Sequence, residues 1–392
     1  MTAHLHDWLE LIFRWFHVIV GVAWIGASFY FNFLENRLDR AASRNREGMA
    51  GHLWAIHGGG FYYLEKFKVA PPSLPQTLHW FKWEAYFTWI TGMVLLILVY
   101  YLNTQSYLID PRVADLSPAL AIVLGLATLA VSWVVYDQLC KSRMAEQPML
   151  LAGVIAVLLV LLSIAMTSLF GGRGAFIHVG AAMGTIMVAN VFFVIIPNQR
   201  DLVDALKENR APDGDKGKAG LQRSRHNNYL TLPVLFIMIS NHYPSTYAHE
   251  WNWLVLVLIM AAGAAVRHYF NVRHLPQRKV WILPAGALLM VLAFFITMPD
   301  TRAPGGADLP EISEPVDDQA IRAVLDQRCI ACHAANVAQG GIRLQDDADV
   351  HRLASRIHAT VVANRSMPPG NVTGITDEER AMISAWYQGL ER

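Results

Sequence analysis

The sequence predicts an all-α fold: a polytopic bundle of eight transmembrane helices over residues 1–298, a linker over 299–316, and a small C-terminal domain over 317–392. Three observations predict it. Hydrophobic residues make up 54% of the 392 and charged residues only 16%, whereas soluble domains carry about a quarter charged residues. Apolar runs of about 20 residues, enough to cross a bilayer core, recur near 9–34, 84–102, 119–139, 149–170, 175–197, 226–245, 251–270 and 281–298. Beyond the last run stands the pentapeptide CIACH, Cys329 to His333, inside a stretch of ordinary soluble composition.

The first run follows MTAHLHDWLE, which has no Lys or Arg. A cleaved signal peptide has a basic start, so this run is expected to stay as a span. The sixth run is the least regular, because its centre LTLPVLFIMIS is short and contains Pro233. Between the first two spans, the stretch 48–66 is rich in aromatic residues, with Lys66 and Lys68 behind it, and is expected to lie in the membrane interface. The stretch ENRAPDGDKGKAG between the fifth and sixth reads as a mobile loop.

Charge sets the orientation. Segments 35–82, 140–148 and 198–228 and the loop after the seventh span hold nearly all the basic loop residues, among them Arg37, Arg40, Lys141, Arg143, Arg200, Arg223 and Lys279. Basic loops stay in the cytoplasm. Both termini then fall outside, and the last span delivers the C-terminal domain to the periplasm of a bacterial inner membrane. The net charge of +1 gives no reason to expect a nucleic-acid partner; membrane lipid is the expected surroundings.

C-x-x-C-H is the attachment sequence of a c-type haem, joined outside the cytoplasm, which agrees with the charge bias. Cys329 and Cys332 would hold the porphyrin, and His333 would reach the iron. In NRSMPPGN, Met367 sits before two prolines on a rigid, non-helical loop and is the expected second axial ligand. His351 and His358 compete for that place but lie in a polar helical stretch. The pattern 318–328 leads into the motif as an amphipathic helix. TDEERAMISAWYQGL closes the domain, with Thr376 and Glu379 as a capping box. This arrangement resembles a class I cytochrome c, which is the fold expected of the C-terminal domain. The third cysteine, Cys140, ends an apolar run and is read as an inert thiol.

Ionisable groups at membrane depth mark function by default. In the first span His17, Gly21, Trp24 and Ser28 share a face that could take a flat macrocycle; the alternative is a histidine bonded to a neighbouring helix. In the fifth, His178 heads a small-residue face of Ala181, Ala182, Thr185 and Ala189, with Asn190 nearby. Such a face otherwise means tight helix packing. The sixth carries His226, Asn227 and Asn228 inside and Asn241 and His242 outside, either around a heteroaromatic ring or as helix caps. His17, His178 and His242, at one outer level, form the expected intramembrane site cluster, with Asn190 and Asn241 as the candidate amide groups beside it. Lys82 with Glu84 reads as a pair at a helix start, His268 with Arg267 as interfacial, and His57 as a loop residue before three glycines.

Taken together, WFHVIVGVAWIGASFYFN, KWEAYFTWITG, HVGAAMGTIMVANVFFVIIPNQ, RHNNYLTLPVLFIMISNHYP and the C-terminal haem motif resemble the integral-membrane, cytochrome c-linked urate oxidases over essentially the whole chain. The resemblance implies oxidation of urate to 5-hydroxyisourate. Electrons would pass to the c haem and on to a respiratory acceptor, a terminal oxidase or a soluble cytochrome c, without peroxide. The first span also resembles the haem-binding opening helix of membrane protoporphyrinogen oxidases and copper-resistance membrane proteins, which implies a b-type haem or another metal at His17. Two other classes remain: a quinol-to-cytochrome electron-transfer module with no organic substrate site, and a transporter with a fused redox sensor.

Overall fold

The computed structural model describes residues 2–41, 47–275, 279–298, 309–312, 315–335 and 342–390. A helix stands at each of the eight predicted places: α1 (Thr2–Arg37), α2 (Trp83–Tyr101), α3 (Pro118–Lys141), α4 (Pro148–Leu169), α5 (Gly172–Lys207), α6 (Gly214–Ser240), α7 (Asn252–Val272) and α8 (Ile282–Ile296). Six of them, α1 to α5 and α7, are long and apolar enough to cross a membrane. The other two differ for readable reasons. In α6 the first half, GDKGKAGLQRSRHNN, is polar, and α8 is an apolar helix of only 15 residues. The stretch expected to be a loop before α6 turns helical at Gly214, because Asp213 caps it, its carboxylate accepting from the Asp215 amide at 2.9 Å.

Helix α5 is the hub. It packs on α3, α4 and α6 and is the most buried of the long helices. Its small residues allow this. A Cβ at Gly180 would lie 2.5 Å from Ile237 of α6, so only glycine lets those two backbones approach. Pro233 interrupts α6 opposite Gly263 of α7, where the missing side chain leaves room for the ring. The core of this body runs from Leu96, Tyr100 and Tyr101 through Phe170, Phe176, Val179 and Met183 to Ile237 and Leu256. By contrast α1 turns Trp8, Leu11, Trp15 and Val22 outward, as a lipid-facing helix does.

The fold is not purely helical. Residues read as interfacial form an antiparallel hairpin, β1 (Met49–His57) and β2 (Gly60–Phe67). The cause is local: Gly58 and Gly59 take φ of +58° and +81°, the two-residue turn that matches strand twist. Trp54, Ile56, Phe61 and Tyr62 on it are exposed.

The C-terminal residues build a separate core. Helix α9 (Asp318–Arg328) and helix α10 (Asp377–Leu390) are its first and last helices. Arg328 bridges to Glu379 at 3.0 Å, and the Trp386 indole N–H donates to Asp318 at 2.8 Å, so the two helices are tied at both ends. The capping box is present. The Thr376 amide donates to Glu379 at 2.8 Å and the Glu379 amide to the Thr376 hydroxyl at 3.2 Å. Most of the linker lies outside the described residues.

Candidate functional site

The end of the bundle nearest the C-terminal domain gathers an unusual set of polar groups. Helix α2 finishes in a π-helical turn, Leu96–Tyr101, closed by the Leu102 amide on the Ile97 carbonyl at 2.9 Å. Such widened turns are frequent at functional sites. Here two consecutive buried tyrosines reach different helices. The Tyr101 hydroxyl meets His178 Nε2 at 3.1 Å, and the Tyr100 hydroxyl donates to Asn241 Oδ1 at 2.9 Å.

The protonation of His178 follows from its partners. Its Nδ1 lies 2.8 Å from the Gly174 carbonyl, which can only accept. Nδ1 therefore carries the proton, and Nε2 accepts from Tyr101. The imidazole is fully buried, with the Phe170 ring 4.9 Å away. Gly125 of α3 faces the pair, and a Cβ there would lie 2.6 Å from Nε2 and 2.7 Å from the Tyr101 oxygen.

Arg173, one turn before His178, completes the group. Its guanidinium lies 4.5 Å from the centre of the Tyr107 ring and 6.0 Å from that of Tyr100. Its ionisable neighbours are Tyr100, Tyr107 and Tyr247, with no carboxylate among the described residues. Its Nε is buried without a hydrogen-bond partner.

The short helix Thr104–Tyr107 then packs against the turn Pro369–Asn371 of the C-terminal domain, two residues beyond Met367. Arg112 reinforces the junction. It grips Asp110 through two nitrogens at 2.7 and 3.0 Å and reaches the Arg365 carbonyl at 3.5 Å. Inside that domain, Arg380 donates to the carbonyls of Val361 and Met367 on both sides of the loop. Burial lowers its pKa to about 10, still charged at neutral pH.

The residues present fit a covalent haem. Cys329 and Cys332 are free thiols one helical turn apart. His333 Nδ1 donates to the Ile342 carbonyl at 3.3 Å, which leaves Nε2 for an axial bond, the usual tuning of a ligating histidine. Met367 packs on the same core as Cys329. His351 pairs with Asp318 at 3.1 Å, and His358 stacks on Tyr387 at 4.6 Å.

The opposite end of the bundle holds a second network. Arg223 donates to Asp137 at 2.8 Å and to Asn190 Oδ1 at 3.1 Å; Lys141 meets Asp137 at 2.6 Å. The Asn190 amide donates to Tyr136 at 3.1 Å and to Asn227 at 2.8 Å, and Tyr136 meets His226 Nδ1 at 2.7 Å. Cys140 lies 3.8 Å from the same nitrogen. A cleft of about 480 Å³ opens beside this network, between Trp133, Phe193, Lys141 and Gln222.

The expected site residues are therefore distributed. His178 and Asn241 meet neighbouring tyrosines. Asn190 lies twelve residues beyond His178, about 18 Å along the helix, in the other network. His17 stands between these ends, its Nδ1 2.9 Å from the Thr91 hydroxyl. That hydroxyl is committed to the Phe87 carbonyl at 2.6 Å, so His17 donates and its Nε2 keeps a lone pair with no hydrogen-bond partner among the described residues. His242 is exposed. No group of three or more His, Cys, Asp or Glu able to hold a metal ion occurs among the described residues. Sequence reasoning missed Arg173, Tyr100, Tyr101 and Tyr107. The available signal was the lone arginine in FGGRGAFIH, a cation between two apolar runs with no acid nearby in sequence.

No curated protein and no solved structure matches the chain. A family model described as urate oxidase N-terminal matches residues 3–298, the whole helical body and none of the C-terminal domain. The chain belongs to the urate oxidase N-terminal family.

Proposed function

We propose that the protein is a multi-pass inner-membrane urate oxidase that forms 5-hydroxyisourate and sends the electrons through its own c-type haem to a respiratory acceptor. The family match over the helical body supports the substrate. The observation that carries the electron route is the docking of the turn after Met367 on the Thr104–Tyr107 segment, beside the Tyr101–His178 pair. In this reading all eight helices α1 to α8 span, and the C-terminal domain is a class I cytochrome c. It sits at the end of the bundle that the charge bias assigns to the periplasm, with both termini.

The balance constrains the site. The urate monoanion takes up water and loses one proton and two electrons to give neutral 5-hydroxyisourate. Haem c, when bound through Cys329, Cys332, His333 and Met367, supplies a one-electron acceptor of raised potential. Two electrons must then leave in succession, or a second centre must share them. His17, with Nε2 open, is the residue that would hold such a centre, a b-type haem or a metal. His178 Nε2 takes the proton through Tyr101: the phenol passes its own proton to the imidazole and accepts one from the reacting side. Asn241 orients Tyr100 beside it.

Anaerobic titration tests this against the alternative of a quinol-fed module. Urate should reduce the c-type absorption band and quinol should not; the reverse result would install the alternative. Replacing His178 with Ala should abolish urate-dependent reduction while leaving the haem spectrum unchanged. A pyridine haemochrome assay, giving the ratio of b to c haem, decides whether His17 serves a second haem.

A further inference from the structure

We infer that Arg173 is the substrate-anion receptor: urate docks as its monoanion on the Arg173 guanidinium, between Tyr100, Tyr107 and Tyr247, with the Asn241 amide group on a ring edge. This deepens the reading above and rests on it. The inference begins from a cost. A buried guanidinium is expensive unless paired and hydrogen-bonded. Arg223 meets that requirement through Asp137 and Asn190. Arg267, which lacks an acid, still has the Asn228 carbonyl oxygen at 2.7 Å and the Phe29 ring at 4.0 Å. Arg173 is half-buried, has the faces of Tyr107 and Tyr100 with the Tyr100 hydroxyl beside it and no carboxylate, and its Nε is buried with nothing to bond. A planar anion supplies what is missing, since the guanidinium fork matches two adjacent acceptor atoms on one edge.

The surroundings fit a flat purine. Two phenol rings stand against the guanidinium, and Tyr247 is a third tyrosine near it. The Asn241 side chain spends its oxygen on Tyr100, which leaves its NH₂ as a donor. The place also suits the chemistry. Tyr101 adjoins Tyr100 in the chain, so the proton-accepting pair with His178 is next to the anion. Tyr107 belongs to the segment on which the turn after Met367 rests.

The test uses the full-length, haem-loaded protein in detergent, with two readouts: equilibrium dialysis of labelled urate, and anaerobic reduction of haem c. Arg173→Lys keeps a positive charge and loses the fork; Asn241→Asp keeps the acceptor for Tyr100 and adds an internal anion beside the guanidinium. Each should weaken urate binding about 10- to 100-fold, with the absorption spectrum and dithionite reduction unchanged. A purely structural role for Arg173 predicts the opposite for Asn241→Asp, because a new counter-ion would leave binding intact or strengthen it. Unchanged urate affinity in both variants overturns the inference even when urate still reduces the haem. If the wild-type protein binds urate through Arg173 yet leaves the haem oxidised, the electron route fails and the receptor stands. Absence of urate binding in the wild type overturns both.

Discussion

Each end of the bundle takes an arginine out of water, Arg223 almost wholly and Arg173 in part, and they treat it differently. At one end Arg223 sits in a closed circuit with Asp137, Asn190, Asn227 and Tyr136, every member bonded to another. At the other, Arg173 has tyrosines alone for company, two ring faces and the Tyr100 hydroxyl, and leaves Nε unbonded. A circuit that satisfies itself holds helices in register. On the reading proposed above, a cation with one nitrogen left unbonded near the Tyr101–His178 pair is arranged for an anion that arrives. The contrast teaches that burial of charge alone does not mark a site; the unmet part of its requirement does.

The largest effect should come from breaking the closed circuit. Arg223→Met leaves the largely buried Asp137 with the exposed Lys141 alone and Asn190 Oδ1 without its donor, and removing one partner of a buried pair costs up to about 3–5 kcal/mol. Thermal unfolding of the detergent-solubilised protein should show this as a lowered Tm. The double variant Arg223→Met with Asp137→Leu should recover much of the loss, since no buried charge then lacks a partner. Recovery would separate a stranded charge from simple loss of packing.

A smaller effect is expected at Gly125. A methyl group there would overlap both His178 Nε2 and the Tyr101 oxygen, and the His178 ring, fully buried, must shift or break its contact with Tyr101. Gly125→Ala should cost about 1–3 kcal/mol and should slow urate-dependent haem reduction more than it lowers Tm. Equal losses in both would mean that the Tyr101–His178 contact is packing only.

Arg173→Met should alter stability by less than about 1 kcal/mol, or raise it, because the side chain is only half-buried and an apolar one of similar length removes the unbonded Nε. Set beside the loss expected from Arg223→Met, this is the sharpest statement of the difference between the ends. A collapse of Tm as large as that of Arg223→Met would make both arginines structural.

Much of this was legible in the sequence, and the rest failed for physical reasons. The places of the eight helices follow from hydropathy, and the Thr376–Glu379 cap follows from a local motif whose partners are three residues apart. His178 and Asn241 stood out as polar groups in apolar runs. The Asp137–Arg223 pair joins α3 to α6 across 86 positions, and no periodicity reports a contact of that separation. Tyr100 and Tyr101 looked like ordinary aromatic residues at a helix end, because a π-helical turn has no sequence signature and yet decides which helix each hydroxyl meets. The hairpin was hidden for the opposite reason: its aromatic residues suit an interfacial segment of any conformation, and only the Gly58–Gly59 turn selects strands.

The smallest predicted effect lies where the C-terminal domain meets the bundle. Burial acts to raise the Asp110 carboxyl, but the two-pronged hold of Arg112 outweighs it and keeps the pKa below the ordinary carboxylate range. A carboxylate with a depressed folded pKa adds stability above its unfolded value and loses it as pH falls through the folded one. Docking should therefore be indifferent to pH from about 8 to 5 and weaken below about 4, read as faster hydrogen exchange of residues 104–112. Because Arg112 is well exposed, the contribution should stay under about 1 kcal/mol. Asp110→Asn should remove the acid step and loosen the junction slightly at neutral pH. Exchange at 104–112 that ignores both acid and Asp110→Asn would mean that the Pro369–Asn371 turn alone holds the domain, and that the salt bridge merely decorates a contact made by shape.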